Sequence, residues 1–279
     1  MRIADTTGIA IEAATSYLRA YTKAAAISRT HPVRQAIRNL RGLACIAIVG
    51  SLALGAEPPA GLARLVAHRE SETEAERNQY TYRQTVRIAE VTERGAQTGE
   101  YREVRDVIFS PTKERSEEMI GAPFKNLKNL ILTDEDFRDI RDIQPFVLVE
   151  DFLPIYETKF RGEEKMDGVD CWVLQVSPRQ ILAGQRLFDG MLWVSKADYS
   201  VIRSEGQAVP QIRTTKSENL FPKFTTMRKE VNGFWFPVST SADDTLYFRT
   251  GPQRIRMTIR FENYKKFGAE TTVTFGEKK

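Results

Sequence analysis

Residues 80–93, YTYRQTVRIAEVTE, alternate apolar and polar side chains with a period of two, and the same texture returns to the end of the chain. Successive side chains of a strand point to opposite faces, so this spacing gives one buried and one wetted face. GEYREVRDVIFSP (99–111) repeats the pattern after a turn at Gly95–Gly99, and Arg115–Ile120 adds a third short strand. After Tyr156, KFRGEEKMDG leads to a turn at Asp167-Gly168. DCWVLQVSPR, LFDGMLWVSKADYSVIRSEGQAV, FPKFTTMRKEV, GFWFPVSTSADDTLYF and QRIRMTIRFENYKKF follow, separated by Gly, Asn, Asp or Pro.

Helical patterns are few. ARLVAHRESETEAERN (63–78) is one. TDEDFRDIRDIQPF (133–146) is the other: Thr133 precedes Glu135 and Asp136, Phe137, Ile140 and Ile143 fall on one face, and Pro145 ends it. The apolar stretch FVLVEDFLPIY (146–156) comes next. Strands on either side of a helical insert predict an α+β fold, a single curved antiparallel sheet with a helical cover. No Pro-, Gly- or Ser-rich linker divides residues 57–279, which read as one domain.

The leader is different in kind. Gly42–Gly55 carries no charge over fourteen residues and follows Arg34, Arg38 and Arg41. A membrane span needs roughly 20 apolar residues, so the run fits the core of a signal peptide at 33–56. Cleavage after Ala56 or at Ala53-Leu54-Gly55 would start the mature chain near Glu57-Pro58-Pro59. An uncleaved anchor and a buried helix are the alternatives. Cys45 stands at the start of the run, where a lipidated cysteine should follow it. No methionine lies between Met1 and Met119, whereas Val33 is readable from a GUG start codon. Residues 1–32 are therefore expected to be an upstream misread of the gene, or else a loosely helical or disordered extension.

The formal net charge of +4 belongs to this leader. With the seven basic and two acidic residues of 1–56 set aside from totals of 41 and 37, residues 57–279 hold 34 basic and 35 acidic side chains. A near-neutral body gives no electrostatic footprint for nucleic acid. Arg254, Arg256 and Arg260 share one strand face opposite Ile255, Met257 and Ile259, the pattern of a solvated face behind a buried one.

GxSxG, GxxxxGK[ST], GxGxxG and HExxH do not occur. Beyond the leader, one histidine (His68) and one cysteine (Cys171) offer neither a zinc set nor a Cys/His pair. Asp243-Asp244 is the sharpest carboxylate pair, but adjacent strand residues face opposite ways, and a turn or strand edge explains them better. Asp134, Glu135 and Asp136 read as helix N-terminal charges rather than a metal cluster. No catalytic residue, metal site or cofactor is expected.

Two strands are apolar on both faces. Trp172, Leu174 and Val176 oppose Cys171, Val173 and Gln175, and Leu192 and Val194 oppose Met191 and Trp193. A central strand buried on both sides accounts for this. So does a concave floor of Trp172, Leu174, Val176, Leu192 and Val194 beneath a removable cover of Phe146, Val147, Leu148, Phe152 and Leu153.

MDGVDCWVLQVSPR and LFDGMLWVSKADYSVIRSEG resemble the central hairpins of the outer-membrane lipoprotein-sorting (LolA/LolB-like) superfamily, through Gly168, Val173, Leu174, Val176, Pro178, Trp193, Val194, Lys196, Val201 and Arg203. FPKFTTMRKEVNGFWFPVSTSADD and IRFENYKKFG resemble exported half-barrel proteins of acidobacterial type, and the likeness spans roughly 80–268. The resemblance implies an incomplete antiparallel barrel in the periplasm or envelope, capped by helices, that holds a lipid or lipoprotein acyl chain. Association with the membrane would be peripheral or absent once the signal is cleaved. The chain departs from the carriers in a longer C-terminal sheet and an insert at about 120–155. The competing expectation is a non-enzymatic envelope scaffold whose groove is filled by its own helix and whose partner is a protein.

Overall fold

Period-two alternation becomes strand almost wherever it is unbroken. The structure, a computed structural model, describes residues 1–3, 57–109, 114–143, 145, 148–182, 184–215 and 217–266. In chain order these form β1 (Arg2–Ile3), α1 (Leu62–Arg77), β2 (Tyr80–Val91), β3 (Gln97–Phe109), β4 (Arg115–Met119), β5 (Phe124–Lys125), β6 (Leu130–Ile131) and α2 (Asp134–Arg138). Then come β7 (Tyr156–Met166), β8 (Val169–Pro178), β9 (Leu187–Ser195), β10 (Val201–Val209), β11 (Ile212–Arg213), β12 (Glu218–Asn219), β13 (Phe224–Val231), β14 (Phe234–Phe248) and β15 (Gly251–Lys266). The expected signal at 33–56, with Cys45, lies outside the described residues, as do Phe146 and Val147. Met1–Ile3, counted with the extension in the sequence, fall in the same compact unit as the described residues from Glu57 onward. No helix of the described residues is long and apolar enough to cross a membrane.

Among the described residues the main sheet has eleven strands, in the order β4-β3-β2-β15-β14-β13-β10-β9-β8-β7, with β5 also paired to β3. Every pairing along this path is antiparallel, as the hairpin connections require. The path ends at β4 and β7, which do not pair with each other, so the sheet stays open. It is also curled. Strands β3 and β9 are six places apart, roughly 29 Å in a flat sheet. Yet the short α2 region reaches both: Phe137 lies 5.7 Å from the Tyr101 ring of β3, and Asp139 pairs with Arg186 at the start of β9. A curved antiparallel sheet under helical cover is the architecture expected from the sequence.

Helix α2 starts as its sequence dictates: the Thr133 N–H and hydroxyl both donate to Asp136 Oδ2, at 2.7 and 2.8 Å. It stops earlier than expected. From Asp139 to Ile143 the chain runs in a wider π turn, which sends Ile140 and Ile143 into the core while Asp139 faces Arg186.

Two glycines shape the inner face. Gly190 and Gly206 sit opposite each other across β9 and β10, with the buried Phe188 ring over both. A Cβ at 190 would stand 2.2 Å from the Glu205 carbonyl oxygen and 2.6 Å from Phe188 Cζ; at 206 it would stand 2.4 Å from the Asp189 carbonyl oxygen. Backbone atoms cannot move aside cheaply. Gly190→Ala and Gly206→Ala should each cost about 1–3 kcal/mol, measured by urea unfolding. Unchanged midpoints would show that Phe188 does not lie on the glycine pair.

Candidate ligand-binding site

Alternation along β8 and β9 puts Trp172, Leu174, Val176, Leu192 and Val194 on one face, and all five are buried in the main apolar cluster. Trp172 lies opposite Val194 and Leu174 opposite Leu192 in register. Leu62, Val66 and Ala67 of α1 belong to the same cluster. That fixes which face is inner. On the outer face Cys171, Val173, Trp193 and Ile202 form a separate small cluster. The Trp193 indole donates to Glu164 (2.7 Å), and the Arg203 guanidinium lies 4.4 Å from its ring centre. The apolar outer face of these strands is thus shielded by its own side chains, a cover that periodicity alone does not reveal.

Of the cover residues foreseen, Leu148 is fully buried in the main cluster and Leu153 packs against it half-buried. Phe152 is 47% exposed, so it faces away from the floor. The larger part of the cover is α1, which the sequence had not assigned to it. Its buried face begins with Leu62, Val66 and Ala67 and continues with Glu70, Thr73 and Arg77. One floor residue pins both pieces of the cover. Arg228 of β13, 0% exposed in its side chain, donates to Glu70 Oε1 (2.7 Å) and to the Pro145 carbonyl (2.9 Å). The pieces also hold each other: the Glu150 N–H donates to Ser71 Oγ (3.0 Å), and His68 Nδ1 lies 3.0 Å from Glu150 Oε1. A buried arginine at the third position of the alternation Phe224, Thr226, Arg228 was the sequence signal for this pin.

A cavity of about 490 Å³ opens at one end of the sheet, between the α2 region (Arg138, Asp139, Ile143), the loop at Ile181–Leu182, and Pro210 and Ile212. Ile143 also belongs to the main cluster, which connects this mouth to the core. Burial pushes the Asp139 carboxyl up to about 6, against the pull of the Arg186 guanidinium; Asp136 pushes it the same way as burial, and the Met1 ammonium pulls against it. A raised carboxylate makes the folded state bind a proton that the unfolded chain has lost, so the contribution of Asp139 to stability is fully present below about pH 4 and is lost as pH rises through 6. Relative to Asp139→Asn, the wild-type protein should lose up to about 3 kcal/mol over that window and then run parallel to it. Curves parallel throughout, in chemical unfolding at each pH, would contradict a buried carboxylate.

The other singled-out residues do structural work. Asp243 and Asp244 lie in β14 beyond the reach of β13, where β14 pairs only with β15. Asp243 accepts from Arg254 and Arg256, while Asp244 accepts from the Lys223 and Thr245 N–H groups, so the two carboxyls serve different partners. Ile255, Met257 and Ile259 are buried and Arg256 and Arg260 are exposed, as the alternation required. Cys171 is buried, and burial pushes its thiol up to about 11, far from a reactive thiolate.

No family model matches this chain, and no curated protein matches it. Among solved structures, a DUF1329 family protein from Desulfovibrio piger is similar at 14% identity and a TM-score of 0.39, over 79% of this chain and 98% of that one. An outer membrane lipoprotein-sorting protein domain from Vibrio parahaemolyticus is similar at 13% identity and a TM-score of 0.31, over 72% and 93%. A LolA superfamily protein from Nitrosomonas europaea is similar at 12% identity and a TM-score of 0.32, over 75% of this chain and 98% of that one.

Proposed function

We propose that the protein is an exported, non-enzymatic carrier of the periplasm or envelope that holds a lipid or lipoprotein acyl chain on the inner face of its open sheet, beneath a cover that lifts. One observation carries this reading: at its centre the cover is tied to an apolar floor through the fully buried Glu70–Arg228 ion pair. Glu70 Oε2 has no hydrogen-bond partner among the described residues. Lifting α1 returns both charges to water, which offsets much of the lost attraction, whereas peeling away a wholly apolar helix has no such compensation. The floor that would be uncovered suits acyl chains, since each CH₂ taken from water contributes about 0.8 kcal/mol.

A second reading is favoured by the full burial of Val176, Leu192 and Val194 under the chain's own residues. Here the groove is permanently self-filled, and the protein is an envelope scaffold that binds a protein partner. Native mass spectrometry of protein secreted to a bacterial periplasm and purified without detergent separates the two. A discrete added mass, extractable as lipid, is expected of the carrier. A bare polypeptide that takes up no fluorescent fatty acid would leave the scaffold.

A further inference from the structure

A second cavity lies at the strand ends where β2 and β3 meet β14 and β15. Its volume is about 700 Å³, its walls are mostly polar, and none of its lining residues belongs to the main apolar cluster. The wall is fixed from behind. Glu90 of β2, fully buried, accepts the N–H groups of Lys128 (2.8 Å), Asn129 (2.7 Å) and Leu130 (2.6 Å), which clamps the segment carrying Asn129 against the sheet. The Asn129 side-chain amide donates to Gln253 Oε1 (2.8 Å), and Gln253 Nε2 donates to the Arg254 carbonyl (2.9 Å). Asn129 and Thr245 both line the cavity, and neither Asn129 Oδ1 nor the Thr245 hydroxyl has a partner among the described residues.

Tyr247 stands at the edge. Its neighbours in β14, Leu246 and Phe248, are buried, so alternation turns the Tyr247 ring outward, 67% exposed beside Pro252, its partner in register. Arg213 Nη1 donates to the Tyr247 carbonyl (2.7 Å), which tethers the strand beneath the ring. An aromatic ring held in water forgoes the gain of burial, and beside a fixed polar wall it offers a flat apolar platform.

The charges decide which ligand fits. Glu93, Asp243 and Asp244 line the cavity against Arg254 alone, so it repels anions. Two of the three carboxylates are engaged. Asp243 accepts from Arg254 and Arg256, which hold it below the usual carboxylate range, and Asp244 accepts from the Thr245 and Lys223 N–H groups. Only the exposed Glu93 is left to attract a cation, and polar walls give an acyl chain no gain. What fits is a neutral molecule with hydroxyls, each donor and acceptor at once, around a C–H face that lies on an aromatic ring. A pyranose has that chemistry. We infer that this cavity binds a neutral saccharide, its ring face on Tyr247 and its hydroxyls on Asn129 and Thr245. The site does not depend on the acyl-chain reading.

The test applies the full chain to an array of immobilised glycans. Neutral gluco-, manno- and galacto-oligosaccharides and N-acetylglucosamine oligomers stand beside uronic-acid and sulfated ones. Isothermal titration with the best-retained oligosaccharide then compares wild type with variants. Wild type should retain neutral glycans and pass over the acidic ones. Tyr247→Ala should weaken binding about tenfold, whereas Tyr247→Phe should hold it within about twofold, because the ring and not the hydroxyl makes the platform. Asn129→Ala should weaken it by a similar factor of about ten. Both side chains are exposed, so the urea midpoints of these variants should stay near that of wild type. Retention of acidic glycans only, or of none, overturns the inference. So does a neutral glycan held equally by wild type, Tyr247→Ala and Asn129→Ala, since its site then lies elsewhere.

Discussion

Arg228→Met should lower the free energy of unfolding by roughly 3–5 kcal/mol, because it leaves the Glu70 carboxylate buried without its counter-charge. The Glu70 and Arg228 side chains are 1% and 0% exposed, and Arg228 also satisfies the Pro145 carbonyl, so water cannot take over either task. The paired variant Glu70→Leu/Arg228→Met should recover most of that loss, since an apolar pair of similar size replaces a costly buried ion pair. The functional effect should run the other way. With its fastening turned from ionic to apolar, α1 should lift less readily, and the paired variant should take up a fluorescent fatty acid several times more slowly than wild type. Urea unfolding and stopped-flow uptake measure the two quantities. A paired variant as unstable as the single one would show that Glu70 and Arg228 are not coupled; unchanged uptake would show that α1 is not the moving part.

The strands were legible because their signal is local. The parity of Trp172, Leu174 and Val176 against Cys171 and Val173 survives into two distinct clusters on the two faces. The turn at Asp167-Gly168 appears as two residues with positive φ, 48° and 87°, where glycine and aspartate are among the tolerant types. What was not legible depends on distance in sequence. Glu70 and Arg228 are 158 residues apart, and Met1 and Leu220 are 219 apart, so no window of residues places them together. The role of α1 was hidden for another reason. Its buried face passes from apolar to charged halfway along, and a periodicity test that counts only apolar residues reads such a helix as solvated. The concave side could not be told from alternation alone, because both faces of β8 and β9 are apolar and only the packing of α1 distinguishes them.

The floor itself gives the second large effect. Leu174 is buried against Leu192 across β9 and lies opposite Phe160 of β7, so Leu174→Ala removes three carbons from a site with little freedom to collapse. The expected cost is about 2–5 kcal/mol. That cost is the same whether the floor is a ligand site or merely core, so stability alone decides nothing. Trp172 adds a second probe. It lies nearer the rim, with the Phe160 ring 5.8 Å away and itself 39% exposed, and the Lys196 ammonium 4.1 Å from its ring centre. If acyl chains lie on this floor, each truncation also withdraws apolar surface from the ligand. At about 0.8 kcal/mol per CH₂, Leu174→Ala should weaken fatty-acid binding by roughly 2 kcal/mol, about thirtyfold, at a temperature where the variant remains folded. Trp172→Ala should weaken it at least as much, at a stability cost of about 3–5 kcal/mol. Equilibrium titration with a fluorescent fatty acid, paired with urea unfolding of the same samples, gives both numbers. If wild type binds and both folded variants bind just as tightly, the ligand lies elsewhere and the strand face at 172–176 is core.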